Sequence, residues 1–182
     1  MEELALHVLD LAQNSLAAGA TLVIIIINED TMTNRLTIGI EDNGRGMESE
    51  FVVQVLDPFT TTRTTRRVGL GLPLLFMTAR QCGGDLTIDS EPGRGTKVTA
   101  TFELDHWDLP PLGDMASTIT TLLVGQSEVD FLYRHIVNGI EFRLDTRELR
   151  AELDPVPLTE PKVLTFLQAY ITDELANLHG GE

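Results

Sequence analysis

A run of six apolar residues, Leu22–Ile27, constrains the fold of this chain more than any other feature. Because side chains alternate between the two faces of a strand, an unbroken apolar run predicts a strand that is buried on both faces. Residues 35–41 alternate instead, with apolar side chains at every second position from Leu36 to Ile40. This pattern predicts a strand with one buried face. The first strand should therefore be central in a sheet, and something must cover its second face.

The alternating strand leads into a short segment that begins with Asp42 and contains Gly44 and Gly46. A carboxylate at a strand end can accept a hydrogen bond from an exocyclic amino group, and residues without a Cβ let a flat ring approach the backbone. The segment therefore fits a pocket for the base of a nucleotide. An Asp-Asn-Gly sequence is also an ordinary turn at the end of a strand, and this pattern alone leaves both interpretations open.

Residues 2–17 show the apolar spacing of a helix that Gly19 can end. A polar stripe on this helix consists of Glu3, His7, Asp10 and Asn14, which share one face. We expect Glu3 to lie on a solvated face and His7 to have a structural role. For Asp10 and Asn14 the alternative is a Mg²⁺-nucleotide site. Mg²⁺ prefers hard oxygen ligands, and a carboxylate one turn away can orient an attacking group.

The composition excludes several classes of partner. With a formal net charge of -15, the chain would repel a phosphate backbone or an anionic membrane, so we expect neither nucleic acid nor membrane as its main partner. The longest apolar run is too short to cross a bilayer, and no basic and then apolar leader begins the chain. The single cysteine, Cys82, excludes a disulfide framework and predicts a reducing, cytoplasmic location.

The segment 57–68 is polar and carries a basic cluster, namely Arg63, Arg66 and Arg67. In so acidic a chain the cluster fits a mobile lid that meets an anion, and a surface loop is the alternative. Gly69 and Gly71 then precede a predicted helix whose free N–H groups would face a phosphate. A plain junction between a loop and a helix is the alternative for these glycines.

Taken in order across residues 1–104, these segments resemble the ATP-binding domain of the GHKL superfamily. That superfamily includes DNA gyrase, the heat-shock chaperone of the same fold, sensor histidine kinases and MutL mismatch-repair proteins. The sequence of the first motif is most similar to that of MutL proteins, and the segment from Asp57 onward is most similar to histidine kinases. The matching stretches are Leu11–Thr21 (N box), Asp42–Met47 (G1 box), Asp57–Arg63 (F box), Gly69–Leu72 (G2 box) and Gly93–Thr96 (last glycine box). The fold that the resemblance implies is α/β (α+β), a two-layer sandwich of the Bergerat type with a mixed sheet and helices on one face.

The resemblance also implies roles for the matching residues toward ATP and Mg²⁺. Asn14 would ligate Mg²⁺, Asp42 would receive the adenine amino group, and Thr96 would reach the adenine through a water molecule. Arg63 would face the phosphates. The other residues that it assigns to the nucleotide, as walls of the base pocket or neighbours of the phosphates, are Gly44, Gly46, Met47, Phe59, Thr62, Gly69, Leu70, Gly71 and Leu72.

The chain departs from the family pattern at the catalytic base. Many ATPases of the superfamily carry Glu four residues before the N-box Asn, whereas this position holds Asp10, our candidate catalytic residue. A shorter carboxylate reaches less far, so slow hydrolysis is one expectation, although Asp can do the same chemistry. Pro73 stands where the kinases usually have Ser. The resemblance does not extend to the helical hairpin that holds the phosphorylated histidine in sensor kinases, and His7 lies inside the N-box helix, so we expect phosphate transfer to go to another chain.

Residues 105–182 form a second region, which we predict to be a small α+β extension of unknown role. Asn138-Gly139 between two alternating segments is the strongest hairpin signal in the sequence. A two-residue loop there sets Arg134 opposite Arg143, an unfavourable pair unless an acidic group lies near. These arginines could bind a partner's carboxylate or phosphate, or simply face solvent.

Two further elements are predicted in the extension. Met115–Val124 fits either a short helix or a strand, and the last helix is predicted over residues 160–178. We expect the extension either to pack on the uncovered face of the sheet, over Val23, Ile25 and Ile27, or to lend its apolar helix to a homodimer.

Three functions are compatible with the sequence. The first is a Mg-ATP-dependent phosphotransferase that acts on a His or Ser of a separate protein. The second is an ATP-gated interaction module without covalent chemistry. The third is a slow ATPase of the MutL kind, which the acidic charge and the missing long second domain of MutL make less attractive.

Overall fold

The computed structural model describes residues 3–56, 70–126 and 128–180. Within these ranges the chain forms six helices and six strands. The helices are α1 (Leu4–Ala17), α2 (Ser49–Val55), α3 (Gly71–Gln81), α4 (Met115–Gly125), α5 (Thr146–Leu153) and α6 (Pro161–Leu178). The strands are β1 (Leu22–Asp30), β2 (Arg35–Asp42), β3 (Leu86–Glu91), β4 (Gly95–Glu103), β5 (Asp130–Val137) and β6 (Ile140–Asp145).

The strands form one mixed sheet in the order β3-β4-β2-β1-β5-β6. β1 lies near the middle, antiparallel to β2 and parallel to β5. The central position predicted for the Leu22–Ile27 run is therefore confirmed, and so is the mixed sheet. The hairpin strands of the C-terminal region extend this sheet directly beside β1.

One face of the sheet packs against the helices. Val23, Ile25 and Ile27 are fully buried, and the register places Ile25 and Ile27 beside Ile40 and Ile38 on the same face. These side chains belong to one core cluster with apolar residues of α1, α3, α4 and α6. The predicted two-layer arrangement, with helices on one face, is confirmed.

The opposite face of the sheet is less covered than the sequence suggested. Leu22, Ile24 and Ile26 are half-buried and lie outside the core cluster. The prediction that this strand is buried on both faces is therefore wrong. The partial cover comes from neighbouring strands, since Ile24 lies beside Leu132, and Ile26 beside Arg134.

The predicted position of the C-terminal region is also wrong. Val23, Ile25 and Ile27 face the helical layer, so they do not form the uncovered face. The C-terminal region pairs β5 with β1 and adds α4 and α6 to that same helical layer. A division into residues 1–104 and 105–182 stays a sequence-based prediction, while strands from both parts share one sheet and one core.

The predicted hairpin is confirmed in its register. Asn138 and Gly139 have φ of 49° and 84°, as a tight turn with two left-handed residues requires. Arg134 does lie opposite Arg143. Acidic partners relieve the repulsion, since Arg134 Nε lies 2.6 Å from Glu141 Oε1, and Arg143 contacts Asp145 and Glu148.

The segment at 115–124 is a helix, which decides between the two predicted states. Asp114 caps it by accepting a hydrogen bond from the Ser117 N–H at 2.8 Å. Thr118 and Thr120 donate their hydroxyls to carbonyls one turn earlier, so these β-branched residues are satisfied within the helix. Among the described helices, none has the length and apolar character needed to span a membrane.

Candidate functional site

The site is built around Asp42, at the end of β2. Asp42 continues the core-facing row of that strand and is half-buried. Its Oδ2 accepts a hydrogen bond from Ser15 Oγ of α1 at 2.6 Å, and its Oδ1 accepts one from the Gly44 N–H at 2.9 Å. Each carboxylate oxygen has a second lone pair, so the fixed carboxylate can still accept a further donor.

The loop after Asp42 is fastened to the end of α1 and the start of β1. The Asn43 side chain accepts hydrogen bonds from the N–H groups of Thr21 (2.8 Å) and Leu22 (3.0 Å), and donates to Thr21 Oγ1. The Arg45 N–H donates to the carbonyl of Ala18 at 3.0 Å. The segment is thus an anchored loop, and the turn interpretation and the pocket interpretation are compatible with each other.

Thr96 lies directly beside Asp42, because the two residues pair between β2 and β4. Ser90 of β3 links the loop after β2 to the start of β4. Its Oγ accepts a hydrogen bond from the Met47 N–H at 2.8 Å, lies 2.8 Å from Thr96 Oγ1, and donates to the carbonyl of Gly95. The G1 box and the last glycine box therefore form one hydrogen-bonded unit.

Two glycines are required here because backbone segments approach each other closely. A Cβ at Gly46, where φ is +68°, would lie 2.0 Å from the carbonyl oxygen of Glu91. A Cβ at Gly95, where φ is +107°, would lie 1.9 Å from the carbonyl oxygen of Asp42. Since a carbonyl in a sheet cannot move aside cheaply, these positions hold the two loops in contact.

Replacing Gly46 with alanine is expected to lower the free energy of unfolding by about 2–5 kcal/mol, as the sum of left-handed strain and overpacking. Gly93 is a matched control, because its φ is +78° but a Cβ there would meet nothing within 4 Å. Gly93→Ala should cost only about 1–2 kcal/mol. Urea unfolding of both variants measures the difference, and equal losses would contradict the close approach at Gly46.

Asp10 brings α1 into contact with the start of α3. A Cβ at Gly71 would lie 1.6 Å from Asp10 Oδ2, so the carboxylate occupies the space that a side chain at Gly71 would need. This oxygen is buried and has no hydrogen-bond partner among the residues that the structure describes. Burial raises the pKa of the Asp10 carboxyl above its ordinary value. Such an environment is common for groups that accept a proton in catalysis.

The two other polar residues of the α1 stripe differ from each other. Asn14 is half-buried, and its side chain makes no hydrogen bond within the described ranges. His7 is only 2% exposed, and burial lowers its pKa to about 4, so the ring is neutral near pH 7. Because His7 is enclosed in the core side of α1, the structural role predicted for it fits this placement.

The structure brings together the described residues of four predicted motifs. The Ser15–Asp42 hydrogen bond joins the N box to the G1 box, and Asp10, which directly precedes the N box, lies against Gly71 of the G2 box. Leu72 is buried, while Leu70 is 61% exposed. The candidates Phe59, Thr62, Arg63 and Gly69 lie outside the described residues.

Sequence reasoning missed Ser15, Asn43 and Ser90, which hold this arrangement in place. Ser15 follows Asn14 directly, and Asn43 follows Asp42, so their position inside the motifs was an available signal. Ser90 had no such signal, because its contacts depend on the register of β3 with β4.

A family model described as "Histidine kinase-, DNA gyrase B-, and HSP90-like ATPase" matches residues 2–106, more than half of the chain. The chain belongs to this family. The match includes Asp10, Asn14, Asp42, Gly71 and Thr96, and the resemblance to the GHKL superfamily is therefore confirmed. The region up to residue 106 is an ATP-binding domain of the histidine-kinase-like type.

Curated relatives include sensor proteins and kinases. A "Putative sensor protein" of Shewanella frigidimarina is 33% identical over 102 residues, covering 55% of this chain and 16% of that protein. "Sporulation kinase C" of Bacillus subtilis is 28% identical over 96 residues (53% and 22%). "Sensor histidine kinase RcsC" of Escherichia coli is 34% identical over 74 residues (38% and 8%). The chain thus spans less than a quarter of the length of these relatives.

Two solved structures share the fold at low identity. The N-terminal domain of a DNA repair protein has a TM-score of 0.54 and 17% identity, covering 80% of this chain and 53% of that one. The Aquifex aeolicus MutL ATPase domain complexed with ADP has a TM-score of 0.50 and 19% identity, covering 80% and 63%. Since 80% coverage exceeds the range matched by the family model, the structural likeness continues into the C-terminal region.

Proposed function

We propose that this protein binds Mg-ATP between α1, α3 and the ends of β2 and β4, and transfers the γ-phosphoryl group to a separate protein. The convergence of Asp42, Thr96, Asp10 and Gly71 on one region supports this proposal most directly. Phosphoryl transfer depends mainly on positioning and on neutralisation of charge, and this region offers groups for both.

Asp42 would recognise the adenine. Ser15 and the Gly44 N–H hold its two oxygens, so its direction is fixed before a nucleotide arrives. A fixed carboxylate would accept the adenine amino group and would meet an unfavourable acceptor in the carbonyl of guanine. Thr96, beside Asp42 and hydrogen-bonded to Ser90, would support the base through a water molecule.

Asn14 and Asp10 would act at the phosphates. The donor set fits Mg²⁺, because the Asn14 amide oxygen is a hard ligand without a hydrogen bond in the described ranges. When bound, the ion would neutralise charge on the phosphates. Asp10, one turn earlier on α1, would accept the proton of the attacking hydroxyl or water through Oδ2, which makes no hydrogen bond in the described part of the chain. Arg63, Gly69 and the backbone at Gly71 would face the phosphates.

The phosphate acceptor would lie on another chain. His7 and His135 are buried. His179 binds Glu29, and His106 lines the same cavity as Glu29. Because Asp42 pairs with Val23, Glu29 lies six residues further along β1, about 20 Å from the site. The described histidines are therefore unsuited to direct transfer, which favours a partner protein.

Two further parts of the proposal rest on composition. We propose a cytoplasmic location, because the single cysteine, Cys82, is buried and unpaired. Nucleic acid is not the proposed partner, because the net charge of -15 would repel it.

A nucleotide-gated interaction module is the second candidate function. Phe166 (65% exposed) and Tyr170 (39% exposed) stack on α6, and such exposed aromatic surface favours protein contact. That contact could also be a homodimer through α6. If the protein is such an interaction module, it would bind ATP without transferring its phosphate or hydrolysing it.

Incubation of the full chain with γ-labelled ATP, Mg²⁺ and its co-purified partners separates the candidates. Transfer predicts label on a second protein, acid-labile if the acceptor is His and acid-stable if it is Ser. Tight binding without labelled product would support the interaction module, and release of free phosphate alone would support a slow ATPase. Absence of ATP binding would contradict all three.

A further inference from the structure

A cluster of two histidines and one carboxylate lies at the opposite end of β1 from the candidate nucleotide site. Glu29 Oε1 lies 2.7 Å from His135 Nε2 and 3.0 Å from His179 Nε2. Glu29 lies in β1, His135 lies in β5, and His179 directly follows α6. The fold thus gathers them from positions far apart in the sequence.

The cluster has a second layer of support. His135 and Tyr133 are fully buried, and Tyr133 Oη lies 2.7 Å from His135 Nδ1. This contact fixes the orientation of the ring and leaves Nε2 directed at Glu29. A hydrogen bond to the second ring nitrogen is the usual support of a metal-binding histidine.

The hydrogen bonds of His179 show which of its two ring nitrogens carries a proton. Its Nδ1 lies 2.8 Å from the carbonyl oxygen of Leu175, and because a carbonyl can only accept, Nδ1 must carry a proton. A neutral His179 therefore directs the Nε2 lone pair at the Glu29 carboxylate. Two electron-rich atoms at 3.0 Å require either a proton between them, on the ring or on the carboxyl group, or a metal ion.

We propose that Glu29, His135 and His179 bind one divalent transition-metal ion of the zinc type. Imidazole and carboxylate ligands suit Zn²⁺, with ligand bonds of about 2.0–2.2 Å. A tetrahedral ion holds such ligand atoms about 3.3 Å apart. The three ligand atoms already lie within 4.8 Å of one another, so small side-chain rotations bring them into place. The side chain of His179 is 46% exposed, which leaves room for water as the fourth ligand.

The ion would have a structural role. It would fix the end of α6 to β1 and β5, since His179 follows the last turn of that helix. The proposal does not depend on the proposed function, because the cluster lies about 20 Å from Asp42 along β1.

Binding of Zn²⁺ and Co²⁺ to the full chain, without a polyhistidine tag, tests the proposal. We expect one ion per chain after dialysis, visible absorption of Co²⁺ typical of four-coordination, and a higher melting temperature with Zn²⁺. His179→Ala should weaken binding at least 10-fold and remove the thermal shift. This substitution is on a half-exposed residue outside α6, and circular dichroism checks that the fold is kept.

His106→Ala is the matched control, because His106 lines the same cavity as Glu29 but is not one of the three proposed ligands. It should bind Co²⁺ as the unmodified chain does. The proposal is overturned if the unmodified chain binds neither ion, if His179→Ala binds Co²⁺ equally well, or if His106→Ala loses binding to the same extent. In each of these cases the three residues would not form the proposed metal site.

Discussion

Replacing Asp10 with asparagine is expected to slow phosphoryl transfer from ATP by about 10²- to 10⁴-fold, the usual contribution of a positioned general base. Asp10 Oδ2 is buried next to Gly71 and has no hydrogen-bond partner within residues 3–56, 70–126 and 128–180, and burial raises the pKa of this carboxyl. An amide of the same size cannot accept the proton. Single-turnover measurements with γ-labelled ATP give the rate, and ATP affinity should change little.

Asp89→Asn provides the charge-matched control for this substitution. Asp89 is exposed on β3 and is one carboxylate among many in an acidic chain. Its replacement should leave the rate unchanged. If Asp10→Asn and Asp89→Asn transferred phosphate equally fast, Asp10 would not be the base, and the short carboxylate at this position would have only a structural role.

Replacing Asp42 with asparagine is expected to weaken ATP binding roughly 10- to 150-fold, because it removes a hydrogen bond to a charged acceptor. Gly44 N–H donates to one oxygen at 2.9 Å, which fixes an asparagine carbonyl on that side. The new NH₂ group would then face the adenine amino group, and two donors repel. Isothermal titration calorimetry with Mg²⁺ present measures the change in affinity.

Glu41→Gln is the matched control, since Glu41 precedes Asp42 but projects from the other face of β2. There it lies 3.7 Å from Lys97. This variant should bind ATP with unchanged affinity. Similar weakening in both variants would mean that the effect comes from net charge or from general destabilisation, and thermal unfolding of both proteins identifies the second cause.

The features that could be predicted from sequence are those encoded locally. The hairpin at Asn138-Gly139 depends on two residues that tolerate positive φ, and its register follows from the length of the loop. The Asp114 cap depends on a contact three residues away. The nucleotide motifs were recognisable because each is a short, continuous pattern, and four of the five contain glycine at fixed positions.

The features that could not be predicted depend on pairings between distant segments. Ser15 and Asp42 are 27 positions apart, and Met47 and Ser90 are 43 apart, so no local pattern announces these contacts. The apolar run Leu22–Ile27 predicted burial on two faces. Hydrophobicity alone, however, cannot distinguish cover by a helical layer from partial cover by side chains on neighbouring strands.

The C-terminal region illustrates the same limit. Its hairpin was predictable, but the parallel pairing of β5 with β1 was not, because a crossover connection leaves no local signal. The similarity of the solved structures over 80% of this chain agrees with a fold that continues through β5 and β6. The cluster at Glu29 exists only because of this pairing, which places His135 beside Ile27.

Titration of the unmodified full chain with ATP in the presence of Mg²⁺, followed by calorimetry, tests the central claim most directly. We predict one nucleotide site per chain, at which ATP and ADP compete. GTP should bind at least tenfold more weakly, because the fixed Asp42 carboxylate accepts a hydrogen bond from an amino group and disfavours a carbonyl. No heat with either adenine nucleotide, together with no change in melting temperature, would contradict the account.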